Sequence, residues 1–593
     1  MKAFALFKNL INMCKEVIKL TWETSPKYTI YTLFLLTATS LIPLLDAYLI
    51  KKIIDFLSTS QEFNLILKYI LFIFLATLFG RFIENSRIAT QVILGNLFSK
   101  KIHHKIVEKT SNLQFWFFED SKFYDKLDRI RDEAMWRPLN TFYHLFDSIQ
   151  ALFTMLSVFA VLYFLNPVFM FLMIIFAIPS LLVQIRYGDV WWNLIFKETP
   201  EARFLQYAQE LMINNKEMKD IKILGLRDFL LSKYRRLYEK LFNEQKILIE
   251  KRYFYEFITF ILSDFVFIFF YVYLAYRAFI KNITIGDFTF YGTIYTRGVS
   301  ALHNFVNDIG GIYQNNRFIN ELINFLKIKE EQEDNKEKIK NIKGTLEFKD
   351  VWFKYPGTEK WILKGISFKL PLKKSVAFVG ENGAGKTTIV KLITRLYEPT
   401  KGEILLDNKP IQEYNLKEYR RLFGVTFQDF AKFYFTVEEN IKFGDIHREI
   451  SIDEIVKVAK KTHIHEKIIG MPLKYKTILG RWFEKGQELS HGEWQKVAIA
   501  RTLIREAPIY ILDEPTAALD AKAEYKVFEA FQQYTKNKTA IFISHRFSNV
   551  KLANEIIVIE HGKIKEHGTH KELMKKKGIY HELYSFQAQR YQE

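Results

Sequence analysis

Two kinds of hydrophobic patterning divide the chain. Up to about residue 330, apolar positions run in long blocks of Phe, Leu, Ile and Tyr. Beyond that point they alternate in short segments between polar turns, as in a soluble domain. A bilayer-crossing helix needs about 20 predominantly apolar residues. Six stretches meet that length: 28–54, 64–94, 138–165, 168–188, 254–281 and 286–312. Asn166-Pro167 predicts a tight break between the third and fourth, because proline disfavours helical geometry in the residue before it. The connections between the second and third stretches and between the fourth and fifth are long, helical and charged, so helices are expected to continue through them past the bilayer into the cytoplasm. An even number of spans puts both termini on one side, here the cytoplasm.

The sixth stretch is the least apolar. Asn304, Asp308, Gly311 and Asn315 recur at helical spacing on one face. Either this is the cytoplasmic end of the helix, or the face lines a water-filled cavity, as polar groups in membrane domains do. Asp46 and Asp264 raise the same question. The charged run 327–343 reads as a solvated connector. After it, "TLEFKDVWFKY" alternates as a strand does, and strands and helices then take turns, which predicts an α/β domain. The expected organisation is a transmembrane domain over 1–326, a linker over 327–343 and an α/β nucleotide-binding domain over 344–593.

The net charge of +19 suggests a polyanionic partner when taken alone. The apolar blocks change that picture. Lys100, Lys101, Lys105 and Lys109 follow the second block, and Lys233, Arg235, Arg236 and Lys240 follow the fourth. Basic residues so placed belong to cytoplasmic loops of a membrane protein. The loop Asp55–Glu62 has no Lys or Arg, although Lys51, Lys52 and Lys68 flank it. No nucleic-acid partner is expected. Cys14 is the only cysteine, so no intrachain disulfide forms. The N-terminal segment reads as a cytoplasmic amphipathic helix and not as a signal peptide.

Candidate chemistry lies in the second half. "SVAFVGENGAGKTTIVKLI" is an apolar strand, a glycine-rich loop and a helix, with Gly380, Gly385, Lys386 and Thr387 in the spacing GxxxxGK[ST]. Such a loop turns its N–H groups toward phosphate oxygens, and the helix dipole adds to the attraction. Lys386 reaches the terminal phosphates and Thr387 offers a hydroxyl to Mg²⁺. Ile509–Leu512 forms a second apolar strand that ends in Asp513 and Glu514. One carboxylate holds Mg²⁺ and the next acts on water. "TAIFISHRF" delivers His545 to a similar strand end. In "ELSHGEWQK", Ser490 precedes an apolar-periodic run and reads as a helix N-cap.

Taken together, these motifs resemble the nucleotide-binding domain of ATP-binding cassette (ABC) transporters, from about 344 to 585. Gly380–Thr388, with Glu381, Asn382, Gly383 and Ala384, looks like Walker A. Ile509–Glu514 looks like Walker B and Gln428 like the Q-loop residue. Asp520 looks like the D-loop aspartate, His545 like the switch histidine and Tyr355 like the aromatic that stacks on adenine. Ser490 and Gly492 stand where the LSGGQ signature contacts the γ-phosphate, with His491 and Glu493 departing from that motif. The first half resembles a six-helix exporter-type membrane domain. "FWFFEDSKFYDKLDR" and "DIKILGLRDFLLSKYRR" look like its coupling regions.

The resemblance implies ATP and Mg²⁺ as cofactors, with Thr387, Gln428 and Asp513 at the metal and Glu514, His545 and Gln428 at the hydrolytic step. It implies a nucleotide sandwiched between two chains. With Glu514 and His545 both present, a homodimer with two working sites is favoured over a heterodimer. The expected activity is ATP-driven export across a bacterial inner membrane. The context of the signature is similar to exporters of modified peptides and bacteriocins, and without a preceding peptidase domain no leader cleavage is expected. A lipid or lipid-linked flippase and a multidrug exporter stay open, as does an ATP-gated channel or regulatory membrane protein. His491 is either an added ligand or pH sensor near the γ-phosphate, or a spacer whose backbone alone matters. If that position needed a left-handed backbone, His would cost roughly 1–2 kcal/mol there.

Overall fold

The structure, a computed structural model, describes all residues except 1, 60–62, 196–199, 215–216, 332–338, 340–344, 515–520, 545–546 and 590–593. It divides into two compact units. One comprises 1–111 and 125–328; the other comprises 112–124 and 329–593.

The first unit is helical. Its main elements are α1 (Lys2–Thr24), α2 (Pro26–Ser58), α3 (Phe63–Ser111), α4 (Arg137–Leu165), α5 (Pro167–Ile195), α6 (Arg227–Phe279) and α7 (Ile285–Leu326). Local chemistry sets the boundaries. Ser25 caps α2 by accepting the Tyr28 N–H, with Pro26 in the first turn. Asn166 leaves helical geometry, and Pro167 opens α5 directly after it. Thr284 and Asp287 form a capping box at the start of α7. The expected continuation beyond the bilayer is met: α3 has 49 residues and α6 has 53. At 1.5 Å per residue these helices exceed a hydrocarbon core of about 30 Å more than twofold.

Among the described residues, five helices, α2 to α6, are long and apolar enough to cross a membrane. The sixth expected span, α7, is a continuous 42-residue helix that falls short on composition. Its polar stripe accounts for the difference. α7 packs chiefly along α4, with further contacts to α2, α5 and α6. The expected polar face splits along its length. Asn304 is exposed, whereas Asp308 bonds His144 Nδ1 at 2.9 Å, Gly311 lies against the same imidazole, and buried Asn315 accepts from Arg137 at 3.1 Å. Other helices are tied in the same way. Gln184 donates to Glu256 at 2.6 Å and to Asn307 at 2.9 Å, and Gln91 donates to Asp147 at 3.1 Å. Asp264 is exposed, and one Asp46 oxygen is buried without a partner. Large apolar side chains such as Phe34, Phe72, Phe82 and Phe164 are exposed on the outside. A lipid-facing surface requires such exposure.

The second unit is built on two sheets. An antiparallel sheet has the order β2-β1-β4-β5, from β1 (Thr345–Phe353), β2 (Leu363–Pro371), β4 (Lys401–Leu406) and β5 (Lys409–Pro410). The larger sheet has the order β10-β9-β3-β8-β7-β6. Its members are β3 (Ser375–Val379), β6 (Phe423–Thr426), β7 (Ile509–Asp513), β8 (Thr539–Ile543), β9 (Glu555–Glu560) and β10 (Lys563–Gly568). Within it β6, β7, β8, β3 and β9 run parallel, and β10 is antiparallel to β9. β7 and β8 are buried at every residue, as strands covered on both faces are. Parallel strands with helices on both faces bring their carboxyl ends to one edge, where ligands of such sheets bind.

Candidate nucleotide site

β3 ends at Val379 and hands the chain to the glycine-rich loop, after which α8 (Lys386–Ile393) begins. Gly380 has φ +151°, and a Cβ there would meet the Ile559 carbonyl oxygen at 2.0 Å. Only glycine fits between the loop and β9. Gly385 caps α8 at φ +105°, again left-handed. Lys386 is buried, and its Nζ donates to the carbonyl oxygens of Gly380 and Glu381 at 2.9 Å each. The ammonium is thus held across the loop's own mouth. Burial lowers its pKa, partly offset by Glu514 and Asp513. Glu381, Asn382 and Gly383 are exposed at the rim, and Ala384 and Thr388 are buried behind it. Tyr355 reaches Thr388, Oη to Oγ1, at 3.0 Å, and its ring packs edge-on against Phe353 and Tyr397.

β7 delivers the carboxylates. Asp513 is fully buried, and neither of its oxygens has a hydrogen-bond partner at bonding distance. Burial pushes its carboxyl up to about 6; the Thr387 hydroxyl and the Lys386 ammonium pull it back, and Glu514 and Asp429 push it further. An orphaned carboxylate beside a threonine hydroxyl fits a hard divalent cation, which oxygen ligands satisfy. Glu514 adopts φ +47°, and its N–H donates to the Ile543 carbonyl at 3.0 Å. This turn takes the residue out of the line of β7. Gln428 Nε2 donates to Glu514 Oε2 at 2.9 Å, so the glutamine after β6 and the glutamate after β7 are in contact.

The signature segment opens α9 (His491–Ile504). Ser490 is its N-cap: Oγ accepts the Glu493 N–H at 3.3 Å, and the Glu493 carboxylate accepts the Ser490 N–H at 2.8 Å. Lys467 pairs with Glu493 at 3.2 Å. The Glu493 carboxyl is lowered because these bonds outweigh its burial, the largest single influence on it. His491 is the first helical residue and is not left-handed, so the possible strain cost does not arise. Its ring stacks on Phe430 at 5.5 Å between centroids. Gly492 follows in the first turn, half-buried. His545 and Asp520 lie outside the described residues.

Spacing alone did not reveal the Gln428–Glu514 contact, the Phe430 platform under His491 or the half-buried Lys391 network. Lys391 Nζ donates to Glu119 at 2.7 Å and sits over the rings of Phe115, Tyr355 and Tyr397. Glu119 also bonds the Tyr397 hydroxyl. The aromatic run Phe115–Phe118 was the available signal. Residues 112–124 fold with the nucleotide-binding unit although the chain on either side belongs to the other.

Residues 29–298 match the ABC transporter transmembrane region, and 363–517 match the ABC transporter nucleotide domain. The chain is 31% identical over 558 residues to the subtilin transport ATP-binding protein SpaT of Bacillus subtilis, covering 92% of this chain and 89% of that one. The chain belongs to the ABC transporter family. It is an ATP-hydrolysing membrane transporter with both modules in one polypeptide. The ABC transporter is also 27% identical to the nisin transport ATP-binding protein NisT of Lactococcus lactis subsp. lactis, over 96% of this chain and 95% of that one. An ATP-dependent lipid A-core flippase of Haemophilus influenzae is 41% identical, but over 45% of each chain. In fold, the transporter is similar to a bacterial Atm1-family ABC exporter solved with ATP bound. The TM-score is 0.80, the identity 24%, and the match covers 95% of this chain and 98% of that one.

Proposed function

We propose that this transporter exports a peptide across a bacterial inner membrane as a homodimer, both termini being cytoplasmic. A membrane part (1–326), a connector (327–343) and a nucleotide part (344–593) divide the work. The observation that carries the peptide reading is the end-to-end likeness to SpaT and NisT, named for subtilin and nisin transport, where the flippase likeness covers under half of each chain. A second feature agrees with it. Thr293, Thr296, Ser300, Asn304 and Asn307 form an exposed polar stripe along α7. The hydroxyls of Thr296 and Ser300 donate to carbonyls one turn back, at 3.0 and 3.1 Å. Their lone pairs remain for N–H donors, which a peptide backbone supplies and an acyl chain does not.

In the nucleotide site, Lys386 exchanges its loop carbonyls for β- and γ-phosphate oxygens, and the N–H groups from Gly380 to Thr388 wrap the phosphates. Tyr355 stacks on adenine. Thr387, Asp513 and Gln428 would hold Mg²⁺, which would supply positive charge against the phosphates. Glu514 receives the proton of the attacking water, and Gln428 fixes the orientation of that carboxylate. His545 steadies the γ-phosphate, and Asp520 helps join the two chains. Ser490 and Gly492 contact the nucleotide held by the partner chain. Ser490 accepts from Glu493, which leaves its hydroxyl hydrogen to donate to phosphate.

The test is ATPase activity of the purified transporter in lipid vesicles, challenged with a panel of cationic peptides, lipids and drugs. Stimulation by peptides, with their ATP-dependent accumulation in inverted vesicles, is expected. Stimulation by lipids alone would sink the peptide reading. Passive, ATP-gated conductance would sink export.

A further inference from the structure

The last helix, α11 (Ile579–Gln589), is anchored with more care than a chain terminus needs. The Glu566 carboxylate of β10 accepts the N–H groups of Ile579 and Tyr580 at 3.1 and 3.0 Å, which caps the helix start. Tyr580 is fully buried, and its hydroxyl meets His570 Nδ1 at 2.8 Å. From that base the helix reaches the edge where β8 leaves the nucleotide site. The short helix α10 (Phe547–Val550) begins there, two residues after His545. Its first N–H, that of Phe547, donates to Gln587 Oε1 at 2.7 Å. The Phe547 ring is buried edge-on between Tyr580 and Tyr584, at 5.4 and 5.9 Å. One cavity of about 770 Å³ is walled by Gly380 and Glu381 of the phosphate loop, Ser544 at the end of β8, and Phe586 and Gln587 of α11.

We infer that α11 belongs to the hydrolytic machinery, and that Gln587 is a positioning residue which fixes the start of α10, two residues after His545, by accepting the Phe547 N–H. An N–H in the first turn of a helix has no partner inside that helix, so a side chain from elsewhere sets where the turn starts. The residue just upstream must meet a γ-phosphate within a few tenths of an ångström to contribute. A tether on Phe547 restricts the path of the chain at that point. Two aromatic contacts place the side chain, and the bond to Gln587 holds the backbone N–H. The inference rests on the reading of His545 as the γ-phosphate residue.

The experiment compares Gln587→Ala, Gln587→Glu and His545→Ala in the full transporter in vesicles, reading kcat, the KM for ATP and the unfolding temperature. Gln587→Ala should lower kcat about tenfold, the change that follows from losing roughly 1.4 kcal/mol of transition-state stabilisation. The KM for ATP should not move. Gln587→Glu retains an acceptor oxygen and should restore most of the rate. A wild-type kcat in Gln587→Ala overturns the inference, whatever His545→Ala does. Weakened ATP binding in step with the lost rate marks a merely structural helix and overturns it as well. A wild-type rate in His545→Ala sinks the histidine reading and the inference with it, whereas a wild-type rate in Gln587→Ala beside an inactive His545→Ala sinks the inference alone.

Discussion

Glu514 and Asp513 are neighbours in sequence with opposite surroundings. Asp513 is buried and unpartnered, whereas Glu514 is turned outward by its left-handed backbone and held by Gln428. Glu514→Gln should therefore leave ATP binding intact and cut the purified ATPase by about 10²–10⁴-fold, the usual loss on removing a general base. Asp513→Asn should behave differently. A carboxyl raised to about 6 from an unfolded value near 3.8 contributes stability only while it is protonated. That contribution is full below about pH 4 and is lost as pH rises through about 6. Calorimetry without nucleotide or metal should find Asp513→Asn more stable than wild type at pH 7.5, by up to ~3 kcal/mol, by roughly half that at pH 5, and nearly equal only below about pH 4. Mg-ATP should stabilise wild type and leave the variant unmoved. At the signature, Glu493→Gln keeps the reciprocal cap and should keep most activity, while Glu493→Ala frees Ser490 and should weaken the α9 terminus by about 1 kcal/mol. His491→Gly should stay within a few-fold of wild type at neutral pH, since His491 rests on Phe430. A large loss of rate in the glycine variant would argue the reverse.

At the scale of elements, the sequence was informative wherever one period dominated. The strand, loop and helix of Ser375–Ile393 and the apolar strands ending at Asp513 and Ile543 were legible because fully buried strands leave unbroken apolar runs. Five spans were equally plain. The sixth was ambiguous because α7 serves two surroundings at once, one exposed and one packed against α4. Composition averages over both. A polar residue seen only as a letter does not reveal whether it is left exposed, as Asn304 is, or meets a neighbour, as Asn315 does. The same limit hid Gln428 from Glu514 and Phe430 from His491, since each pair joins segments far apart in the chain. The split of α7 is checkable. In a Cys14→Ser background, a membrane-impermeant maleimide should label Asn304→Cys and spare Asn315→Cys. Equal labelling of the two would refute the division.

At the scale of the molecule, one chain carries one phosphate loop and one signature helix. The proposed homodimer makes each hydrolytic event depend on both chains. Reconstituting wild type with Glu514→Gln chains should depress ATPase well below the half that independent sites would give. The long helices bear on how such an event is felt elsewhere. α6 runs through 53 residues without a single glycine or proline, a rod of about 80 Å. A rod with no soft joint behaves as a lever: a tilt of about 10° at one end sweeps the other by roughly 14 Å, because α-helix length is fixed at 1.5 Å per residue. Whatever force acts near Arg227 therefore arrives near Phe279 as displacement and is not absorbed as bending. Placing a Gly-Gly pair after Gln245 would give the lever an elbow, and its owner should go on hydrolysing ATP while its cargo stays where it is.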